Sequence, residues 1–134
     1  MEKNKTVRIL ILDDEPVIVS VVKTLITSIY PGDQSQTTGV ESIAAAKLLG
    51  LENFDIVICD MTLRGESGCD LLTHMRQDLG LETPFLLMTG RSLEEIESVT
   101  KGLGNLGNFQ ILTKPLKSIR TLHETIEKAL HSSP

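Results

Sequence analysis

Four short, largely apolar runs punctuate this sequence: Val7–Leu12, Ile56–Cys59, Phe85–Met88 and, more weakly, Phe109–Leu112. Each is rich in Ile, Val, Leu or Phe and reads as a β-strand buried on both faces. Between the runs, apolar residues recur at helical spacing. Ile18, Val22, Leu25 and Ile29 stand four, three and four apart, as one face of a helix would. Leu93, Ile96, Val99 and Leu103 behave in the same way, and so do Ile119, Leu122, Ile126 and Leu130. Leu71, Leu72, Met75 and Leu79 mark another helix, and the stretch Val40 to Leu51, with Ala44, Ala45 and Ala46, marks a fifth. The polar segment Gln34–Gly39 sits where a strand is needed and is read as a short edge strand. The polar residues before Val7 and after Leu130 read as frayed ends.

Strand and helix alternating in this way predict an α/β fold, a parallel sheet covered on both faces by right-handed crossovers. A length of 134 residues suits a single domain, whose core spans about residues 7–130. Thirteen basic residues against eighteen acidic ones leave a net charge of −5. That balance argues against the chain itself binding nucleic acid or an anionic membrane surface, which need concentrated positive charge. No apolar run approaches the ~20 residues that span a bilayer, and no secretory signal is visible at the N-terminus. Cys59 and Cys69 stand ten apart with neither a CxxC nor a zinc spacing, so reduced thiols and a cytoplasmic location are expected.

Open parallel sheets bind ligands beyond the carboxyl ends of their strands. Here the strand ends read Asp13-Asp14-Glu15, Asp60, Thr89-Gly90 and Thr113-Lys114-Pro115. The carboxylates of Asp13, Asp14 and Asp60, the hydroxyl of Thr89 and the ammonium of Lys114 should therefore meet on one edge. Two carboxylates ~4 Å apart repel by about 4 kcal/mol at an effective dielectric of ~20, and a third demands a cation or protonation. The candidate ligands are all hard oxygens, which favours magnesium or manganese over zinc. Lys114 and Thr89 are the groups that would hold the oxygens of a phosphoryl unit carried by Asp60. A carboxylate can itself be the nucleophile of phosphoryl transfer.

In these residues the chain resembles the receiver (response-regulator, CheY-like) domains of bacterial two-component signalling. The resemblance runs through Ile9–Glu15, Asp60 with Gly68 eight residues on, Thr89-Gly90 and Lys114-Pro115. It implies a doubly wound five-stranded sheet of order 2-1-3-4-5 in a flavodoxin-like three-layer sandwich. It also implies phosphotransfer to Asp60 from the phosphohistidine of a sensor histidine kinase or phosphotransfer protein. Magnesium would be held by Asp14, Asp60 and the backbone carbonyl of Thr62, with Asp13 acting through water or Lys114. Lys114 and Pro115 would be joined by a cis bond. The switched surface would be the fourth helix, fifth strand and fifth helix, controlling an output domain or partner protein, and a homodimer could form through it.

Two departures from the family pattern stand out. The aromatic residue usually found three positions before the lysine, which swings inward with the threonine, is Ile111 here; the proline four residues after the acceptor is Arg64. Thr62 and Arg91 flank the site, two beyond Asp60 and Thr89, where family members tune the lifetime of the phosphoryl group. Ile111 supports an alternative, a pseudo-receiver whose protein contacts ignore phosphorylation; the acidic pair, Asp60 and Lys114 oppose it. A flavin carrier of similar sheet order is discarded because Asp13-Asp14-Glu15-Pro16 would repel a phosphate. A haloacid-type hydrolase needs a second aspartate where Thr62 stands. His74, His123 and His131 lack any ligand spacing and read as solvated. Cys59, Met61, Met75 and Met88 read as core.

Overall fold

In a computed structural model, which describes residues 5–101, 106–114, 116 and 118–131, five parallel strands form one sheet. They are β1 (Val7–Leu12), β2 (Ser35–Val40), β3 (Ile56–Asp60), β4 (Phe85–Thr89) and β5 (Phe109–Thr113), in the order β2-β1-β3-β4-β5. The chain order of the strands reverses between β1 and β3, and the carboxyl ends there open the crevice where ligands of such sheets bind. Among the described residues, five α-helices cover the two faces: α1 (Pro16–Ile29), α2 (Ile43–Leu48), α3 (Gly68–Thr73), α4 (Leu93–Lys101) and α5 (Ile119–His131).

Alternate strand residues feed two separate apolar layers. Ile9, Ile11, Ile56, Ile58, Leu86 and Met88 join Val22 and Ile26 of α1 and Leu122 and Ile126 of α5. Leu10, Leu12, Val57, Cys59 and Leu87 face Ile43 of α2 and Leu71, Leu72 and Met75 on the other side. The inner strands β3 and β4 are buried at every residue, whereas β2 is mostly half-exposed. β2 is a strand despite its polar sequence because its main chain pairs with β1 from Val7↔Ser35 to Leu12↔Val40. Gly39 keeps it close to α1: a Cβ there would sit 2.4 Å from Val19 Cγ1.

Three segments depart from what the sequence pattern predicts. Val40 belongs to β2, and α2 starts only after Ser42, whose hydroxyl accepts the Ala45 N–H at 3.1 Å. Gly50, at φ +82, then ends the helical path, and Leu51 lies in a separate 3₁₀ turn. Leu79 is exposed, because α3 continues into a π-helical turn at His74–Asp78 that rotates the next position off the apolar face. Between β3 and α3, Thr62–Leu63 and Glu66–Ser67 pair as an antiparallel hairpin turning at Gly65, φ +73, where the sequence pattern shows no strand. Leu103, Pro115 and most of the expected frayed ends lie outside the described residues.

Two polar contacts, one around a buried arginine and one half-buried, tie the elements together. The guanidinium of Arg76 donates to four main-chain carbonyls: Leu106 (2.6 Å), Leu81 (2.8 Å), Thr83 (2.7 Å) and Asn108 (2.9 Å). On the other face, the Tyr30 hydroxyl at the end of α1 donates to the Glu127 carboxylate of α5, with the ring edge-on to His123. Burial, and then this carboxylate, push the Tyr30 hydroxyl well above its ordinary pKa. Cys59 and Cys69 are both free thiols in the core. Each histidine lies near an acid one helical turn away: His74 pairs with Asp78 at 2.8 Å and His131 with Glu127 at 3.1 Å, while His123 stands 3.9 Å from Glu127.

Candidate functional site

The strand ends do bring distant carboxylates together. Asp13 and Asp14 follow β1 and Asp60 closes β3; one carboxylate oxygen from each lies within 4.8 Å of the others. Asp13 is wholly buried, Asp60 nearly so, and Asp14 partly exposed. Lys114, just past β5, reaches between the two buried acids, with Nζ 3.0 Å from Asp13 Oδ2 and 2.9 Å from Asp60 Oδ2. The ammonium thus connects residues 101 and 54 positions away in sequence.

Local backbone geometry fixes each carboxylate. Asp13 Oδ1 accepts the Glu15 N–H at 2.9 Å, in the turn that leads to Pro16 at the start of α1. Asp60 Oδ1 accepts the Thr62 N–H at 3.1 Å. Behind Asp60, Gly68 donates its N–H to the Met61 carbonyl at 2.9 Å. A Cβ on Gly68 would stand 2.3 Å from the Asp60 carbonyl oxygen and 3.0 Å from Cys59 Sγ. Glycine at that position is therefore a steric requirement for seating α3 against the end of β3.

The charges at the site do not balance. Three carboxylates share one ammonium, so a second cation is electrostatically favoured. Burial raises the Asp13 carboxyl above its ordinary range, against the lowering effects of the Glu15 N–H and Lys114. Burial alone would pull the Lys114 ammonium down, but its hydrogen bonds to Asp60 and Asp13 outweigh this and hold it above the usual lysine value. The donor set is all oxygen, partly open, and matches a hard divalent cation; no histidine or thiolate among the described residues joins it.

The remaining sequence-predicted residues ring this cluster. Thr89 is buried at the end of β4; its hydroxyl accepts the Arg91 N–H at 3.0 Å and its carbonyl accepts the Lys114 N–H at 2.7 Å. Gly90 faces Lys114, whose Cβ would lie 3.9 Å from a Cβ at position 90. Arg91 is exposed, and its Nη2 donates to Thr62 Oγ1 at 3.1 Å across the mouth of the site. Ile111 sits within β5, half-buried on the layer that also receives Val99 of α4. Pro115, and with it the expected cis bond, lies outside the described residues. An apolar cleft of about 470 Å³ opens beside Lys114 and Gly90, floored by Met88 and walled by Ile18 and Val21 of α1.

Sequence reasoning missed the hairpin and one contact it makes. Glu66 Oε1 accepts the Ile43 N–H at 3.3 Å, joining the segment after Asp60 to the start of α2. Glu66, just ahead of α3, gave no signal of its own, because the donor of that bond comes from a distant part of the chain.

Comparison with known proteins identifies the family and the fold. The family model described as "Response regulator receiver domain" matches residues 9–127. The chain is 31% identical over 126 residues to "Regulator of RpoS" of Escherichia coli strain K12, covering 94% of this chain and 35% of that protein. It therefore spans about a third of that relative's length. It is 30% identical over 128 residues to "Chemotaxis protein CheY-3" of Vibrio cholerae, covering 93% of this chain and 92% of that one. Among solved structures, a response regulator receiver domain protein from Clostridium thermocellum superposes with a TM-score of 0.73 at 24% identity, covering 92% and 94% of the two chains. Chemotaxis response regulator CheY4 of Vibrio cholerae gives 0.71 at 24% identity, covering 94% and 100%. The likeness in fold, the strand-end acids and a family match reaching from β1 into α5 converge on one assignment: the chain belongs to the response-regulator receiver domains of two-component signalling.

Proposed function

We propose that this chain is a phosphorylation-controlled switch that accepts a phosphoryl group on Asp60 from the phosphohistidine of a sensor histidine kinase or phosphotransfer protein. The observation that carries the reading is Lys114, held within 3.0 Å of both Asp13 and Asp60 beside a third carboxylate. Asp14, Asp60 and the carbonyl of Thr62 would hold magnesium, or manganese, with Asp13 supporting through water. When bound, the metal would neutralise charge that builds on the phosphoryl oxygens.

The chain's own residues supply the rest. An oxygen of Asp60 attacks phosphorus; the O–P bond forms as the N–P bond breaks, and the electron pair leaves with the donor imidazole, which takes up a proton. Lys114 moves its charge from the carboxylate to the transferred oxygens, where it stabilises the transition state. The Thr89 hydroxyl, one residue from a glycine that leaves room for the group, donates to another oxygen. Thr62 and Arg91 flank the group and set the access of water to it.

The surface of α4, β5 and α5 would pass the change to an output domain or partner protein, and a homodimer through that surface fits the same reading. The chain works without binding nucleic acid directly, and no helix among the described residues is long and apolar enough to cross a membrane. Acetyl phosphate with magnesium should label the protein at one equivalent, and Asp60→Asn should abolish the label. Labelling of the variant at undiminished stoichiometry would overturn the assignment.

A further inference from the structure

We propose that Arg91 is a second cationic ligand of the phosphoryl group, and that its transfer from Thr62 to that group carries phosphorylation to α4 in place of an inward-swinging aromatic ring. The inference rests on Asp60 being the acceptor. It starts from Ile111: an aliphatic side chain, half-buried beside the α4 layer, with no polar atom to exchange when the site changes charge.

Arg91 is tied to the site at both ends. Its backbone N–H donates to Thr89 Oγ1 at 3.0 Å, the hydroxyl assigned to the phosphoryl oxygens. Its guanidinium donates to Thr62 Oγ1 at 3.1 Å, and the N–H of that same Thr62 is bonded to Asp60 Oδ1. The guanidinium is therefore already parked beside a near neighbour of the acceptor carboxylate. The bond that parks it is exposed and made to a neutral hydroxyl, so its net contribution is small. A phosphoryl group carries ~1.5–2 negative charges on strongly accepting oxygens, so guanidinium hydrogen bonds to it are charge-assisted, frequently bidentate and roughly twice as strong. The exchange is downhill.

The start of α4 makes the exchange felt. Ser92 and Glu95 form a reciprocal cap at the head of the helix: Ser92 Oγ accepts the Glu95 N–H at 3.2 Å and Glu95 Oε1 accepts the Ser92 N–H at 3.1 Å. The neighbour of Arg91 is thus part of the helix's hydrogen-bonded start. A pull on Arg91 is delivered to α4 instead of being absorbed in a slack hinge.

The test is amide NMR of the full chain with magnesium, before and after addition of beryllofluoride. In the parent protein, amides of residues 93–101 and the Arg91 Nε resonance should shift together. In Arg91→Ala, beryllofluoride should bind more weakly, and at concentrations that saturate the amide shifts of Asp60 and Thr89 the α4 shifts should fall at least threefold. Thr62→Val removes the parking contact but not the guanidinium, so its α4 shifts should persist on beryllofluoride addition while its unliganded Arg91 Nε resonance moves. Full α4 shifts in Arg91→Ala, or bound beryllofluoride with α4 silent in the parent, would overturn this inference and leave the acceptor assignment standing. A parent protein that neither binds beryllofluoride nor takes label from acetyl phosphate would overturn both.

Discussion

Two cations are tucked in at opposite ends of the strands, and the protein solvates them in opposite ways. Arg76 meets four neutral main-chain carbonyls from the segments that lead into β4 and β5. Lys114 meets two carboxylates beside a third. Burial pulls the Arg76 guanidinium below its ordinary pKa, opposed only by the charge of Glu82, whereas Lys114 is held above its own. The first site is saturated: every donor of consequence has an acceptor, and any exchange of partner loses one. The second is in deficit of positive charge and gains from a metal ion or from handing its lysine to a new anion. A folded protein can keep both, but only the second can do chemistry.

The sharpest way to break this contrast is to remove the saturated cation. Arg76→Ala strands four carbonyls in a poorly hydrated place; at about 1–3 kcal/mol for each group left unpaired, partly relieved by water, a loss of about 4 kcal/mol is expected. Urea unfolding should show it, while the folded fraction still takes label from acetyl phosphate at the parent stoichiometry. Lys114→Met should do the reverse. Its labelling rate should fall about a hundredfold, as when one transition-state donor is lost, with stability changed much less in buffer where magnesium takes over the lost positive charge; a rate within threefold of the parent would remove Lys114 from the chemistry. Asp13→Asn keeps the oxygen that accepts the Glu15 N–H but discards a charge that burial disfavours. It should raise stability in metal-free buffer by about 1 kcal/mol and shrink the increase in Tm that magnesium gives the parent.

The smallest effect lies in alkali. Lys114 and Tyr30 both have raised folded-state values, so each binds its proton more tightly folded than unfolded. The stability they contribute is fully present below their unfolded values, roughly 10.4 and 10, and is lost as pH rises through the folded ones. Denaturation curves should therefore weaken above about pH 10, and Tyr30→Phe should flatten part of that decline.

The same two cations mark the limit of what a sequence displays. The runs Ile56–Cys59 and Phe85–Met88 announce their strands because strands buried on both faces are apolar throughout, and Val7–Leu12 and Phe109–Leu112 follow the same pattern apart from Arg8 and Gln110. Asp13, Asp14, Asp60 and Lys114 are legible because parallel strands deliver their last residues to one edge, and unlike charges there have few other uses. β2 is placed only by counting elements, since an edge strand needs main-chain pairing and little side-chain hydrophobicity. Arg76 gives no sign, because its partners are carbonyls, which every residue carries and no residue type encodes. The hairpin at Thr62–Ser67 and the π turn at His74–Asp78 stay hidden for a related reason: each is a local choice of backbone path among several the residues allow.

The seam between α1 and α5 also equips the molecule with an optical gauge. The chain has one tyrosine and no tryptophan, so aside from weak phenylalanine absorption its near-ultraviolet signal comes from Tyr30 alone. A phenol that donates to a carboxylate, as this one does to Glu127, is a poor emitter. Emission should brighten when those two helices part, so separation of this seam can be followed in the unlabelled protein.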